Sequence, residues 1–275
     1  MAKDFDGTKH TDFRSLDGLR LRGTLSFAAS SRRNPTVLVH GGGVTRDEGG
    51  FFVRLAAGLA EAGSSTLRFD FRAHGESAGR QEDLTISGVL NDIRAAAEHV
   101  REATSAQPVN LIGASFGGGI SAFFAARHPE LTQRLVLFNP LLNYKKRFVD
   151  DKPYWHDDHL SREAGRELAE SGSLKHSPTF KLGRPLLNEV FHLQPHQVLN
   201  EISMPTLIVH GTADTFIPVE SSRDALRQIK DAQLVEIEGA QHGFALHDDP
   251  QYLDPQTQAW QAHVIRTVTD WLTRA

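Results

Sequence analysis

Three side chains in this chain have the types and spacing needed to cut an acyl bond: Ser115, His242 and Asp214. Gly113-Ala114-Ser115-Phe116-Gly117 places a serine between glycines two positions before and two after it. An apolar run at 108–113 (PVNLIG) precedes it, and an Ala-, Gly- and Phe-rich run at 116–127 follows. A strand, a tight turn and a helix in that order hold a serine in a strained conformation, with its oxygen exposed above a sheet. A serine hydroxyl is a weak nucleophile and needs a positioned base. His242 lies in a short loop after the strand-like run 233–237 (QLVEI) and is expected at the same sheet edge. An imidazole that takes a proton needs a buried carboxylate to orient and stabilise it. Asp214 suits that task, just after the run 205–210 (PTLIVH). Asp248 and Asp249 lie nearer to His242 in sequence but on no strand end. Asn139, at the end of 134–138 (RLVLF), cannot be an anion.

Acyl chemistry also needs two N–H donors for the oxygen that becomes anionic. Phe116, directly after the serine, is expected to supply one. His40-Gly41-Gly42-Gly43, after the run 36–40 (TVLVH), is expected to supply the other from Gly42, with Gly43 second. Glycines there let the backbone approach a substrate closely. A phosphate loop is disfavoured: no Gly-Lys-Ser/Thr follows, and no acidic residue sits at a dinucleotide-type distance.

These residues need a parallel sheet beneath them, and the chain has its pattern. Short β-like stretches at 10–15 and 19–28 flank the turn signal Asp17-Gly18. The runs 36–40, 66–70, 108–113, 134–138, 205–210 and 233–237 are strand-like, and continuous apolarity suggests burial on both faces. Helical spacing falls at 51–62, 89–102, 116–127, 219–229 and 255–272, with Gly63 a plausible cap. This alternation predicts an α/β fold with a mostly parallel sheet flanked by helices, and ligands at the carboxyl ends of the strands. The rhythm breaks at 141–200, which is rich in charge, His and Pro. The expected organisation is a core of 1–140 and 201–275 with 141–200 inserted as a cap.

With 275 residues and 39% hydrophobic content, the chain can bury a substantial core. It has no cysteine, which removes disulfides, thiolate metal sites and a cysteine nucleophile. A net charge of −4 without clustered cations argues against nucleic acid as a partner. The start, MAKDFDGTKHTDF, has no apolar leader-like stretch, and no run reaches the roughly 18 apolar residues of a membrane span. A cytoplasmic protein is expected. Its oligomeric state is open, a homodimer included.

Taken together, the motifs resemble those of the α/β-hydrolase superfamily. The resemblance rests on Val39-His40-Gly41-Gly42, Asp70-Phe-Arg72-Ala-His74-Gly75-Glu-Ser77, the turn around Ser115, His210-Gly211 with Asp214, and Gln241-His242-Gly243. It covers the chain outside 141–200 and is nearest to serine carboxylesterases and feruloyl or cinnamoyl esterase-like members. The three glycines after His40 are also similar to hormone-sensitive-lipase-like esterases. The resemblance implies an oxyanion N–H at Gly42, an architectural role for the segment around His74, and a cap after Phe138. Relatives often carry Gln or Met after the nucleophile, and Phe116 departs from that.

The expected activity is hydrolysis of a carboxylic ester through an acyl-enzyme, without cofactor or metal. The substrate is expected to be a small-molecule acyl ester or thioester. A thioesterase, amidase or acyltransferase would use the same triad. A receptor or a cofactorless lyase or cyclase could share the fold. Tyr144, Phe148, Tyr154, Trp155, Phe180 and Phe191 either line a pocket or form the cap's own core. Lys145-Lys146-Arg147 reads mainly as a solvated basic face. His156-Asp157-Asp158-His159 would bring its histidines together only on a helix, and no further ligand accompanies it.

Overall fold

The apolar runs become the buried strands of one sheet. A computed structural model describes residues 7–30, 33–105 and 108–274; residues 1–6, part of the start on which the expectation about a leader rests, lie outside that set. In chain order the elements are β1 (Thr8–Arg14), β2 (Arg20–Ser26), β3 (Thr36–Val39), α1 (Phe51–Glu61), β4 (Thr66–Asp70), α2 (Ile86–Thr104), β5 (Val109–Ala114), α3 (Ser115–Arg127) and β6 (Thr132–Phe138). After these come β7 (Trp155–His156), β8 (His159–Leu160), α4 (Arg162–Ser171), β9 (Ser173–Lys175), β10 (Lys181–Gly183) and α5 (Arg184–Glu189). The chain closes with β11 (Thr206–Gly211), α6 (Glu220–Leu226), β12 (Ala232–Ile237) and α7 (Pro255–Thr273).

Eight strands form the sheet in the order β1-β2-β4-β3-β5-β6-β11-β12. The β1–β2 hairpin pairs antiparallel and adds antiparallel to β4, and every other pairing is parallel. The sheet is thus mostly parallel, with helices on both faces. Asp17-Gly18 makes the hairpin turn, where Gly18 takes φ +85° and the Asp17 carboxylate accepts the Leu19 N–H. β3, β4 and β11 are buried along their whole length, whereas the edge strands β1 and β12 are not.

Alternating strand residues feed two cores. Val37, Val39, Leu111, Leu135 and Leu137 pack with α2 and α3 on one face. Leu38, Ile112, Val136 and Phe138 pack with Phe52 and Leu55 of α1 and Val264 and Val268 of α7 on the other. α3 is buried from Phe116 to Ala126, which explains why its sequence is apolar on every side. α2 starts three residues before the spacing predicts, because the Thr85 hydroxyl caps it by accepting the Gly88 N–H at 2.9 Å.

Residues between β6 and β11 hold two small antiparallel hairpins, two helices and several tight turns. His156 and His159 face each other across the β7–β8 hairpin, so the helical arrangement that could have joined them does not form. Among the described residues no group of three or more His, Asp or Glu side chains is placed to hold a metal ion. None of the helices there is long and apolar enough to cross a membrane.

Candidate active site

Every candidate residue lies where a parallel strand ends. β3 runs into His40–Gly43, β5 into Ser115, β6 into Asn139, β11 into the Asp214 loop and β12 into the His242 loop. Ser115 opens α3 directly from β5 and takes φ +50°, a left-handed conformation that costs a non-glycine residue energy. The flanking glycines are required by contact. A Cβ on Gly113 would lie 2.4 Å from Ser121 Oγ, and one on Gly117 would lie 2.1 Å from the His40 carbonyl oxygen.

The three candidate side chains meet. His242 Nε2 lies 3.1 Å from Ser115 Oγ, and His242 Nδ1 lies 2.7 Å from Asp214 Oδ2. A carboxylate only accepts, so Nδ1 carries the proton and Nε2 offers its lone pair to the serine hydroxyl. The Asp214 side chain is fully buried. Its Oδ1 accepts the Phe216 and Ile217 N–H groups at 2.8 and 2.9 Å, and Oδ2 also accepts the Asn139 amide at 3.0 Å. Burial alone would raise its pKa. The hydrogen bonds from His210 and His242, the His242 charge and the Ile217 N–H outweigh that and hold the carboxyl well below the usual range.

The glycine loop presents one open donor. The Gly41 N–H is taken by the Glu48 carboxyl and the Gly43 N–H by His74 Nε2 at 3.0 Å. Among the described residues nothing accepts from the Gly42 N–H. The N-terminus of α3, where Phe116 stands, has no side-chain cap. His74 Nδ1 donates to the Arg72 carbonyl at 3.1 Å, which leaves Nε2 as acceptor, and burial holds the imidazole neutral by lowering its pKa. The surrounding segment is architectural: the Asp70 carboxylate accepts the Arg46 and Glu76 N–H groups at 2.7 and 3.0 Å.

The aromatic residues of 141–200 divide into two groups. Tyr144, Phe148 and Phe180 are buried against Phe116, with ring centroids 5.2, 6.1 and 5.4 Å away. Phe180 also covers Gly42, where a Cβ would lie 2.9 Å from its ring. Trp155 and Phe191 pack on each other at 5.7 Å and, like Tyr154, lie half-buried at the margin of the same core. Lys145 pairs with Asp150 and Asp158, and Lys146 with Asp151, as on an ion-paired surface.

A cavity of about 120 Å³ opens beside Ser115, lined by Gly42, Phe138, His242, Phe244, Glu48 and Tyr252 among others. Burial pushes the Glu48 carboxyl up to about 7, against the opposing effects of the Gly41 N–H and His242. Motif reasoning finds His74, though not its bond to the Gly43 N–H. Glu48, Asn139 and Tyr252 are site neighbours that it does not find, and of these only Asn139 leaves a signal, as the residue after β6. The others arrive from loops and meet only once the chain has folded.

Residues 30–156 match the family model described as serine aminopeptidase, S33. A 2-hydroxymuconate semialdehyde hydrolase of Pseudomonas putida is 29% identical over 161 residues, which are 49% of this chain and 56% of that protein. A monoacylglycerol lipase of Mycolicibacterium smegmatis is 24% identical over 280 residues, covering 94% and 95% of the two chains. In structure the chain is similar to Est1E from Butyrivibrio proteoclasticus with ferulic acid bound. That match has a TM-score of 0.76 at 22% identity and covers 94% of this chain and 99% of Est1E. The sheet order, the helices on both faces and these matches agree: the chain has the α/β-hydrolase fold, and its sequence is similar to hydrolases and lipases.

Proposed function

We propose that the chain is a serine hydrolase that cleaves a carboxylic ester through an acyl-enzyme intermediate. The observation that carries this reading is the hydrogen-bonded line from Ser115 Oγ through His242 to buried Asp214. Relatives named as hydrolases and lipases support the hydrolytic class.

Ser115 Oγ bonds to the acyl carbon as its proton passes to His242 Nε2. The imidazolium that forms lies against the Asp214 carboxylate. The carbonyl oxygen gains negative charge between the Gly42 and Phe116 N–H groups. The tetrahedral species collapses, the bond to the alkoxy oxygen breaks, and the alcohol leaves with the proton from His242. A water then gives a proton to His242 and attacks the acyl-serine. Collapse releases the acid and returns the proton to Ser115. Each step is assigned to this chain's own groups, with no cofactor or metal. In the same reading, 141–200 is a cap whose Phe180 covers the oxyanion loop.

A panel of aryl esters, acyl thioesters and anilides with one common acyl group tests the assignment, with an added alcohol as competing acceptor. Esters are expected to give the highest kcat/KM, and Ser115→Ala is expected to lower it by about 1,000-fold or more. A tenfold preference for thioester or anilide, or transfer to the alcohol outrunning hydrolysis, would move the activity to that class. Unchanged turnover in Ser115→Ala would overturn the mechanism.

A further inference from the structure

Two polar groups beside the nucleophile are left over by the ester-cleavage chemistry. Glu48 and Tyr252 both line the 120 Å³ cavity, whose other walls include Val44, Phe51, Phe138 and Phe244. One Glu48 oxygen accepts the Gly41 N–H. That oxygen and Ser115 Cβ are each 3.3 Å from the same point beside Gly41, so carboxyl and nucleophile stand within about twice that distance of each other. Among the described residues the second Glu48 oxygen has no hydrogen-bond partner, and neither has Tyr252 Oη. The Tyr252 ring lies across Gly49, and its hydroxyl lies 2.8 Å from where a Gly243 Cβ would stand, next to His242.

A carboxyl and a phenol in an apolar cavity cost free energy unless something pairs with them. An alkyl group entering the cavity would displace solvent and leave both unpaired. A hydroxyl would donate to the carboxyl and accept from the phenol at once. We propose that this cavity receives a hydroxyl-bearing part of the substrate, with the hydroxyl donating to Glu48 and accepting from Tyr252. The inference rests on the ester-hydrolase reading and gives that site a substrate class. The same chemistry can come from the acyl chain or from the alcohol.

The experiment has one arm for each source. Ethyl 3-hydroxybutyrate is compared with its near-isostere ethyl 3-methylbutanoate, and 2-hydroxyethyl acetate with propyl acetate. In one arm the hydroxylated ester is expected to have a kcat/KM at least about tenfold higher, since a site built to bond a hydroxyl rejects the analogue lacking it. Glu48→Gln keeps an acceptor for the Gly41 N–H but turns the free oxygen into a donor. It is expected to bring the ratio to within about threefold of one, and Tyr252→Phe to lower the ratio in the same arm. Thermal melts confirm that each variant is folded. A wild-type ratio near one in both arms, with all four esters cleaved, overturns the inference and leaves the ester-hydrolase reading standing. So does an unchanged ratio in folded Glu48→Gln, the result expected if Glu48 only holds the loop. If none of the four esters is cleaved, the ester-hydrolase reading fails and the inference fails with it.

Discussion

Asn139 occupies the end of β6 with φ +40°, and its amide donates to the same Asp214 oxygen that holds His242. Reading it only as a residue that cannot be an anion misses this positioning role. Removing the donor in Asn139→Ala should lower kcat by about tenfold with little change in KM, seen in steady-state kinetics on an aryl ester. Asn139→Asp should cost more at neutral pH, because it sets a second carboxylate against Asp214. Asp214→Asn should lower kcat by about 1,000-fold or more, since the wrong tautomer of His242 would then be favoured. Ser115, His242 and Asp214 are legible in sequence because the chemistry dictates their types and the strand ends dictate their places. Glu48 and Tyr252 are not, because a glutamate seven residues after Gly41 or a tyrosine ten after His242 has no meaning until the loops converge.

Among elements, the turn between β5 and α3 is under the tightest control. Gly117→Ala would drive a methyl onto the His40 carbonyl oxygen, a backbone atom that cannot swing away. It should destabilise the protein by about 3 kcal/mol, the upper end of the usual overpacking range, read as a fall in the urea midpoint. Gly165→Ala, in α4, meets no atom within 4 Å and should leave stability the same or raise it by up to about 1 kcal/mol. The long elements were legible because burial imposes their patterns: continuous apolar runs for β3 and β11, all-round apolarity for α3. The segment 141–200 was not, because its strands are two or three residues long and carry no periodicity. Packing against Phe116 and the rest of the core decides their form.

Across the whole molecule, the sheet carries its chemistry at one edge and its stability on two faces. The site draws on that stability: it holds a strained serine, a buried Asp214 and a half-buried Glu48 together. The Glu48 carboxyl titrates at about 7 in the folded protein against 4.5 for the free side chain, and it faces His242 and Tyr252. A raised carboxyl pKa means the folded state favours the protonated form. Below about pH 4.5 Glu48 therefore costs nothing, its cost grows as pH rises toward 7, and above that it is complete. Glu48→Gln should accordingly match the wild type in urea midpoint at pH 4 and be more stable by about 1–2 kcal/mol at pH 8. Asp214 has the opposite sign: its lowered pKa contributes stability at neutral pH that is lost in acid.

Labelling the folded protein with a fluorophosphonate tests the central claim most directly, because the probe reacts only with a hydroxyl that a neighbouring base has activated. Intact mass and peptide mapping should show one adduct per chain, on Ser115, absent in Ser115→Ala and much slower to form in His242→Ala. A folded, unlabelled protein, or an adduct on another residue with Ser115 untouched, would contradict the account.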